Sequence, residues 1–408
     1  MKVLLINQTF AHSGGANVVC LNTGRILEQY GQKVIYLSQK SQNNEPLGVD
    51  RYFYEAPRNV VERFIFDYYN WRSKKCLRKL VVAEKPDIAH IHELGNISDS
   101  ILPVLKKHNI PVVLTVHDYH LVCPVSHFLD KYGNTCEKCI DKHFSKCIRY
   151  SCYKGSRLKS LLLTSQFLFR RKFYSPFNYL SGVVFVSRFS QNKNLEHEKK
   201  FCEIKHRIIY NSAIDHTNDN QISKGNYFLY FGRLSYEKGV DVLIRAFSKI
   251  HTLNLKVVGT GPLENQLKEM AADSTNIEFT GFKTGRELSD LISHSSFVII
   301  PSVCYENNPM AIVEAYSFGK PVIGADSGAI PEIVTSSTGY LFKKNNVESL
   351  VNTLKDANSI SEEDYNSLSN GAKLYFREHF SETRYYAELM SFYKLVLNHK
   401  DIDGYDNK

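Results

Sequence analysis

Glu306 and Glu314 flank seven residues in the segment P-S-V-C-Y-E-N-N-P-M-A-I-V-E, and this spacing carries the most chemistry in the chain. A strand ending near residue 300 delivers Glu306 to the mouth of a cleft, and Pro309 suits the first position of a helix that takes Glu314 deeper. The amides of Asn308, Met310 and Ala311 then lie where a helix start offers N–H groups without carbonyl partners, a natural seat for a diphosphate. Pro309 has no N–H to add. Glu314 is placed to accept hydrogen bonds from two ribose hydroxyls. Taken alone, two glutamates at this spacing are better explained as a helix cap and a solvated helix residue, and it is the surroundings that reverse this.

Upstream, Y-F-L-Y-F-G-R-L-S-Y-E-K-G ends a strand at Gly232 and follows it with Arg233 and Lys238. Two cations at a strand's carboxyl end can bracket phosphates and stabilise the charge that grows on a departing pyrophosphate, the task a metal performs elsewhere. Plainer roles exist: Arg233 pairing with an acid, Lys238 capping a helix. Next, V-V-G-T-G-P puts Gly259 and Gly261 in a strand-to-helix turn, and T-G-F repeats the device at Gly281. Four strand-end turns converging on one cleft outweigh any single glycine motif.

These residues need a scaffold that brings strand ends together. Short apolar runs at 3–6, 34–37, 88–91, 112–116 and 182–186 alternate with helix-length segments, as at 17–30 and 72–84. A second series, 228–231, 255–258, 277–279, 297–300 and 321–323, follows a polar stretch at 211–226. The pattern predicts an α/β chain of two doubly wound parallel-sheet domains facing a cleft. The expected limits are 1–210 for an N-terminal acceptor-binding domain, 211–380 for a donor-binding domain, and 381–408 for a terminal helix and polar tail. That helix is expected to pack back on the first domain, and the tail from residue 399 to fray.

At 408 residues, with 43% apolar and 23% charged side chains, the chain has globular composition and room for two cores. The opening M-K-V-L-L-I-N reads as a first strand, not a signal peptide, and no run approaches the roughly 18 apolar residues of a membrane span. A cytoplasmic protein is expected. The net charge of +9 suits a nucleic acid, an anionic membrane or a phosphorylated substrate. No nucleic-acid module is recognisable, so nucleic-acid binding is set aside as the lesser alternative.

With F-G-R-L and E-K-G, V-G-T-G-P, T-G-F, the Glu306/Glu314 pair, and P-V-I leading to S-G-A-I-P-E in that order, the C-terminal half resembles glycosyltransferase family 4, whose fold is the two-sheet GT-B architecture. The match is close over about residues 225–335 and looser before them. The resemblance implies a nucleotide-diphosphate sugar as donor, with Arg233 and Lys238 on the diphosphate, Glu306 on the transferred sugar and Glu314 on the ribose. It also implies retention of anomeric configuration, attack and departure on one sugar face, and no metal or other cofactor for catalysis. Many members have glycine where Pro309 stands, so one backbone donor is missing here.

In the N-terminal half the resemblance places His117, just beyond the 112–116 strand, near the transferred sugar. Gly14 and Gly15 match the family's glycine loop, where amides approach donor phosphate or acceptor. His90 and His92 alternate along H-I-H-E and should share one sheet face, most simply as structural residues. Cys136, Cys139, Cys147 and Cys152 offer four thiols within 17 residues, a spacing that suits a structural zinc in the cysteine-bearing insert 123–152; buried reduced thiols are the alternative.

Residues 142–195 hold eleven lysines and arginines and no acid. Within them the segment 154–175 carries Leu158, Leu161, Leu162, Phe169 and Phe173 on one helical face beside Arg170, Arg171 and Lys172. This face suits an anionic leaflet next to a lipid-linked acceptor, or packing against the N-terminal domain. The expected activity is transfer of a hexose or N-acetylhexosamine to a glycan acceptor in surface polysaccharide synthesis. A catalytically silent scaffold and a nucleotide-sugar epimerase are the enzyme-fold alternatives.

Overall fold

A computed structural model describes residues 1–11, 14–41, 44, 51–217 and 223–398. The chain forms two compact units. The first takes Met1–His127, Glu137–Ile209 and the chain from Tyr385, and the second takes Phe128–Cys136 and Tyr210–Arg384. Residues 399–408, expected to fray, and His12 and Ser13 of the first glycine loop lie outside the described residues, as does part of the polar stretch at 211–226.

In the first unit, β1 (Lys2–Asn7), β2 (Lys33–Gln39), β3 (Arg51–Tyr54), β4 (Ile88–Glu93), β5 (Val112–Val116), β6 (Gly182–Phe185) and β7 (Lys205–Ile208) form one parallel sheet. Their order is β3-β2-β1-β4-β5-β6-β7. β1 and β5 are apolar almost throughout because a strand buried on both sides has no polar side to alternate, while β4 is as deeply buried but carries His90 and His92 on one face. β3 and β7 were not marked as strands in the sequence. K-H-R-I is half-buried along its whole length at the sheet edge, so its composition is polar. The helix Glu382–Leu397 lays Tyr385, Leu389, Phe392 and Tyr393 into this unit's core. The Tyr385 hydroxyl meets Thr23 Oγ1 at 2.7 Å there.

In the second unit, β8 (Phe228–Phe231), β9 (Leu255–Val258), β10 (Ile277–Gly281), β11 (Val298–Ile300), β12 (Val322–Ala325) and β13 (Gly339–Phe342) form a parallel sheet ordered β10-β9-β8-β11-β12-β13. The order reverses between β8 and β11, and it is beyond the carboxyl ends of strands at such a point that an open α/β sheet leaves a crevice. Apolar clusters fill both faces, one around Leu243, Phe247 and Phe297, the other around Ile312, Tyr316 and Phe376. Phe128–Cys136, from the cysteine-bearing insert, belongs to this second unit. There the Tyr236 hydroxyl donates to the Tyr132 carbonyl at 2.8 Å, and Phe128 meets Tyr305 edge-on.

Candidate active site

Arg233 and Lys238 follow β8, and Glu306 follows β11, so the two strands that flank the reversal of the second sheet carry the predicted charges. Lys238 Nζ donates to Glu306 Oε1 at 2.7 Å, and Ser302 Oγ donates to the same oxygen at 2.6 Å. Burial alone would push the Glu306 carboxyl up; Lys238 and Ser302 outweigh it and hold its pKa below the ordinary value. Burial acts to lower the Lys238 ammonium's pKa, but Glu306 raises it well above the usual lysine range. Lys238, itself half-buried, therefore pairs with buried Glu306 and does not cap a helix. Arg233 is exposed, and among the described residues no acid pairs with it.

Glu306 is placed by backbone packing as well. Ala329 N–H donates to the Glu306 carbonyl at 2.8 Å, and Ser327 Oγ donates to the Cys304 carbonyl at 2.9 Å. Gly328 sits between them at φ +64°, where an added Cβ would lie 2.4 Å from the Glu306 carbonyl oxygen. Only glycine combines that left-handed backbone with that approach. The S-G-A turn is thus a buttress for Glu306. Gly259, at φ +130°, leaves a Cβ only 2.0 Å from the Gly232 carbonyl oxygen, so the glycine turns after β8 and β9 are packed on each other. Gly261 meets Leu234 in the same way.

The helix Met310–Ser317 begins one residue later than the sequence suggests, with Pro309 as its cap at φ −66°. Met310 and Ala311 hold the first-turn amides, and the Asn308 carbonyl is fixed by Asn211 Nδ2 at 3.0 Å. Glu314 lies half-buried one turn on, and no side chain pairs with its carboxylate among the described residues. Burial pushes its pKa up to about 7. Arg233 after β8, and Glu314 and the first-turn amides after β11, are each polar groups of a kind suited to a charged ligand with hydroxyls.

Sequence reasoning missed Ser302 and Cys304, although the signal was present. In the extended run after β11, residues 302, 304 and 306 alternate onto one side. Ser302 holds the carboxylate, and Cys304 Sγ lies 4.0 Å from it.

In the first unit, Gly14 caps the helix Gly15–Gln29 at φ +86°, following β1, and His117 follows β5. β1 and β4 flank the reversal of this sheet. His92 Nδ1 and His117 Nε2 are 2.9 Å apart, their rings nearly parallel. Burial holds His117 at a pKa of about 4. His90 is paired at both nitrogens, to the Tyr393 hydroxyl at 2.6 Å and Thr115 Oγ1 at 2.7 Å. His90 and His92 share one face, with ring centroids 4.4 Å apart.

The four thiols expected to hold zinc are not drawn together in this structure. Four thiolates on one zinc lie within about 4 Å of one another, but no three of Cys136, Cys139, Cys147 and Cys152 converge within 4.8 Å. Cys136 belongs to the second unit, while the other three belong to the first. Around buried Cys147 stand Cys152, Thr164, Cys123 and Cys139. The one group of three potential ligands among the described residues, Glu137, Glu196 and His197, surrounds the Lys193 ammonium, which pairs with both acids.

The basic helix packs mainly through small residues and leaves most of its apolar face outward. Arg157–Phe173 buries Ser160, Thr164 and Phe167, while Leu158, Leu161, Leu168 and Phe173 face outward. Arg170 and Arg171 turn in to pair with Asp99 and Glu198.

Two doubly wound parallel sheets, each with its candidate residues beyond the strand ends at the reversal, are the GT-B architecture of glycosyltransferases. Residues 13–213 match the model described as Glycosyltransferase Family 4, and residues 212–375 match Glycosyl transferases group 1. The chain belongs to this glycosyltransferase family. A 42.6 kDa protein of the cps region of Klebsiella pneumoniae is 26% identical over 76% of this chain and 75% of its own length. Among solved structures, sucrose-phosphate synthase from Thermosynechococcus elongatus superposes with a TM-score of 0.73 at 15% identity, covering 98% of this chain and 100% of that one. Anabaena HepE in complex with UDP-glucose superposes at 0.69 and 17% identity, covering 96% and 99%. No helix among the described residues is long and apolar enough to cross a membrane.

Proposed function

We propose that the chain is a retaining, metal-independent glycosyltransferase that moves a hexose or N-acetylhexosamine from a nucleotide-diphosphate sugar to a glycan acceptor. The observation that carries this is the Lys238–Glu306 pair, which joins the segments after β8 and β11 at the strand ends where the sheet order reverses. In this reading Arg233, Lys238 and the first-turn amides of Met310 and Ala311 hold the diphosphate and take up its charge as the glycosidic bond breaks. Glu306 faces the transferred sugar, Glu314 accepts from the ribose hydroxyls, and His117 and the Gly14–Gly15 turn serve the sugar and acceptor side. HepE, solved with UDP-glucose, supports a nucleotide-sugar donor, and the cps-region relative supports surface polysaccharide as product.

The acceptor is proposed to be lipid-linked and the protein to sit on the cytoplasmic face of a membrane. In the first unit the helix Val60–Tyr68 exposes Val60, Val61, Phe64 and Ile65, and packs through Tyr68 on Phe169 of the basic helix, which exposes its own leucines. Arg157, Lys159 and Lys172 border that apolar surface, a combination that favours anionic lipid. Turnover of a panel of nucleotide sugars, with Glu306→Gln as control, tests the reaction. Co-sedimentation with phosphatidylglycerol vesicles, absent with phosphatidylcholine alone and reduced in Val60→Asp/Leu158→Asp, tests the membrane; equal recovery on both vesicles refutes it.

A further inference from the structure

His92 is buried with only 1% exposure, and its Nε2 has no hydrogen-bond partner among the described residues. Its Nδ1 lies 2.9 Å from His117 Nε2. One of these two nitrogens must carry the shared proton, and the choice fixes both rings. If His117 Nε2 were the donor, a neutral His92 would carry its own proton on Nε2, leaving a buried N–H with no acceptor. If His92 Nδ1 is the donor, Nε2 keeps only a lone pair. Buried donors left without acceptors are the rarer and costlier defect.

We propose that His92 is a positioning residue for His117: its Nδ1–H donates to His117 Nε2 and fixes His117 as the neutral tautomer with its proton on Nδ1. His90 cannot take over the task, since both its nitrogens are engaged by Tyr393 and Thr115. It does pack its ring on His92 and, with Tyr393 from the terminal helix, keeps that ring from turning. The groups facing His117 from its own strand end are Asp118 and His120, which pair with each other at 2.5 Å. The consequence is a donor N–H without charge. Positive charge develops on the sugar ring as a glycosidic bond breaks, and an imidazolium beside it would oppose that step. This significance rests on the proposed place of His117 near the sugar; the tautomer itself does not.

The test is long-range ¹H–¹⁵N NMR of protein labelled at histidine, with His92 and His117 assigned from variants, read between pH 5.5 and 8.5. Both rings are expected to stay neutral with protonated Nδ1. His92→Asn, whose amide can stand where Nδ1 stood, keeps the His117 tautomer. His92→Leu loses it, giving averaged or titrating His117 signals, and lowers kcat by about 10- to 100-fold on whichever nucleotide sugar the wild type turns over. A His117 protonated on Nε2 in the wild type, or a tautomer unmoved in His92→Leu, overturns the proposal. Should the leucine variant not fold, the wild-type spectrum alone decides. A protein that turns over no nucleotide sugar yet shows these signals refutes the enzymatic reading and leaves the His92 assignment intact.

Discussion

Replacing Glu306 by Gln removes the buried charge of its pair with half-buried Lys238 and keeps the shape and the acceptor for Ser302. At 2.7 Å the bare attraction between Lys238 and Glu306 amounts to about 6 kcal/mol at an effective dielectric constant of about 20. Taking Glu306 and most of the Lys238 side chain out of water opposes it by several kcal/mol, so a net coupling of about 2–3 kcal/mol is expected. For a unit of this size that corresponds to a fall of roughly 4–12 °C in the melting temperature. Lys238→Met should cost a similar amount. The double variant should be less destabilised than the two singles together by the coupling energy, because neither charge is then left alone. Differential scanning calorimetry of the four proteins measures this directly. Turnover of the donor should drop by at least about 100-fold in Glu306→Gln, since the charge beside the sugar is lost. A coupling energy under about 0.5 kcal/mol together with near-normal turnover would refute the reasoning.

Arg233→Ala should weaken UDP or GDP binding by about 10- to 100-fold in titration calorimetry, with the melting temperature moved by no more than about 1 °C, because no acid among the described residues holds the exposed guanidinium. Nucleotide affinity should depend on pH through Glu314. Its folded pKa of about 7 means the carboxyl is protonated below that pH, whereas ribose hydroxyls donate to the carboxylate, so binding must release a proton there. Affinity should fall by up to about tenfold per pH unit below 7, stay level above it, and lose this dependence in Glu314→Gln. Gly328→Ala should destabilise the protein by about 2 kcal/mol or more and reduce turnover, since the new Cβ displaces the Glu306 backbone; a calorimetric scan and a donor assay give both readings.

Both sheets, the order of their central strands' motifs and the charged residues at the strand ends were legible in the chain. Residues such as Gly259, Pro309 and Glu314 act through local backbone geometry, and local geometry is written in spacing. Where the reading fell short, long-range packing was responsible. β3 and β7 are edge strands, whose half-exposed sequences lack the apolar signature that central strands show. The four cysteines have zinc-like spacing, but Cys136 follows the Phe128–Thr135 hairpin into the second unit, and no local rule announces that. The apolar residues of Arg157–Phe173 lie on one face as read, but only the packing of Ser160, Thr164 and Phe167 decides that this face turns outward.

By itself the sequence determined which residues can carry charge, bend the backbone or start a helix, and in what order they follow the strands. Tertiary structure alone decided that Lys238 neutralises Glu306 while Arg233 and Glu314 stay unpaired, and that His92 leans on His117. Periodicity fixes the face on which a side chain leaves its own element. Which charge or ring it meets there depends on neighbours tens of residues away, brought close by the burial of both sheets.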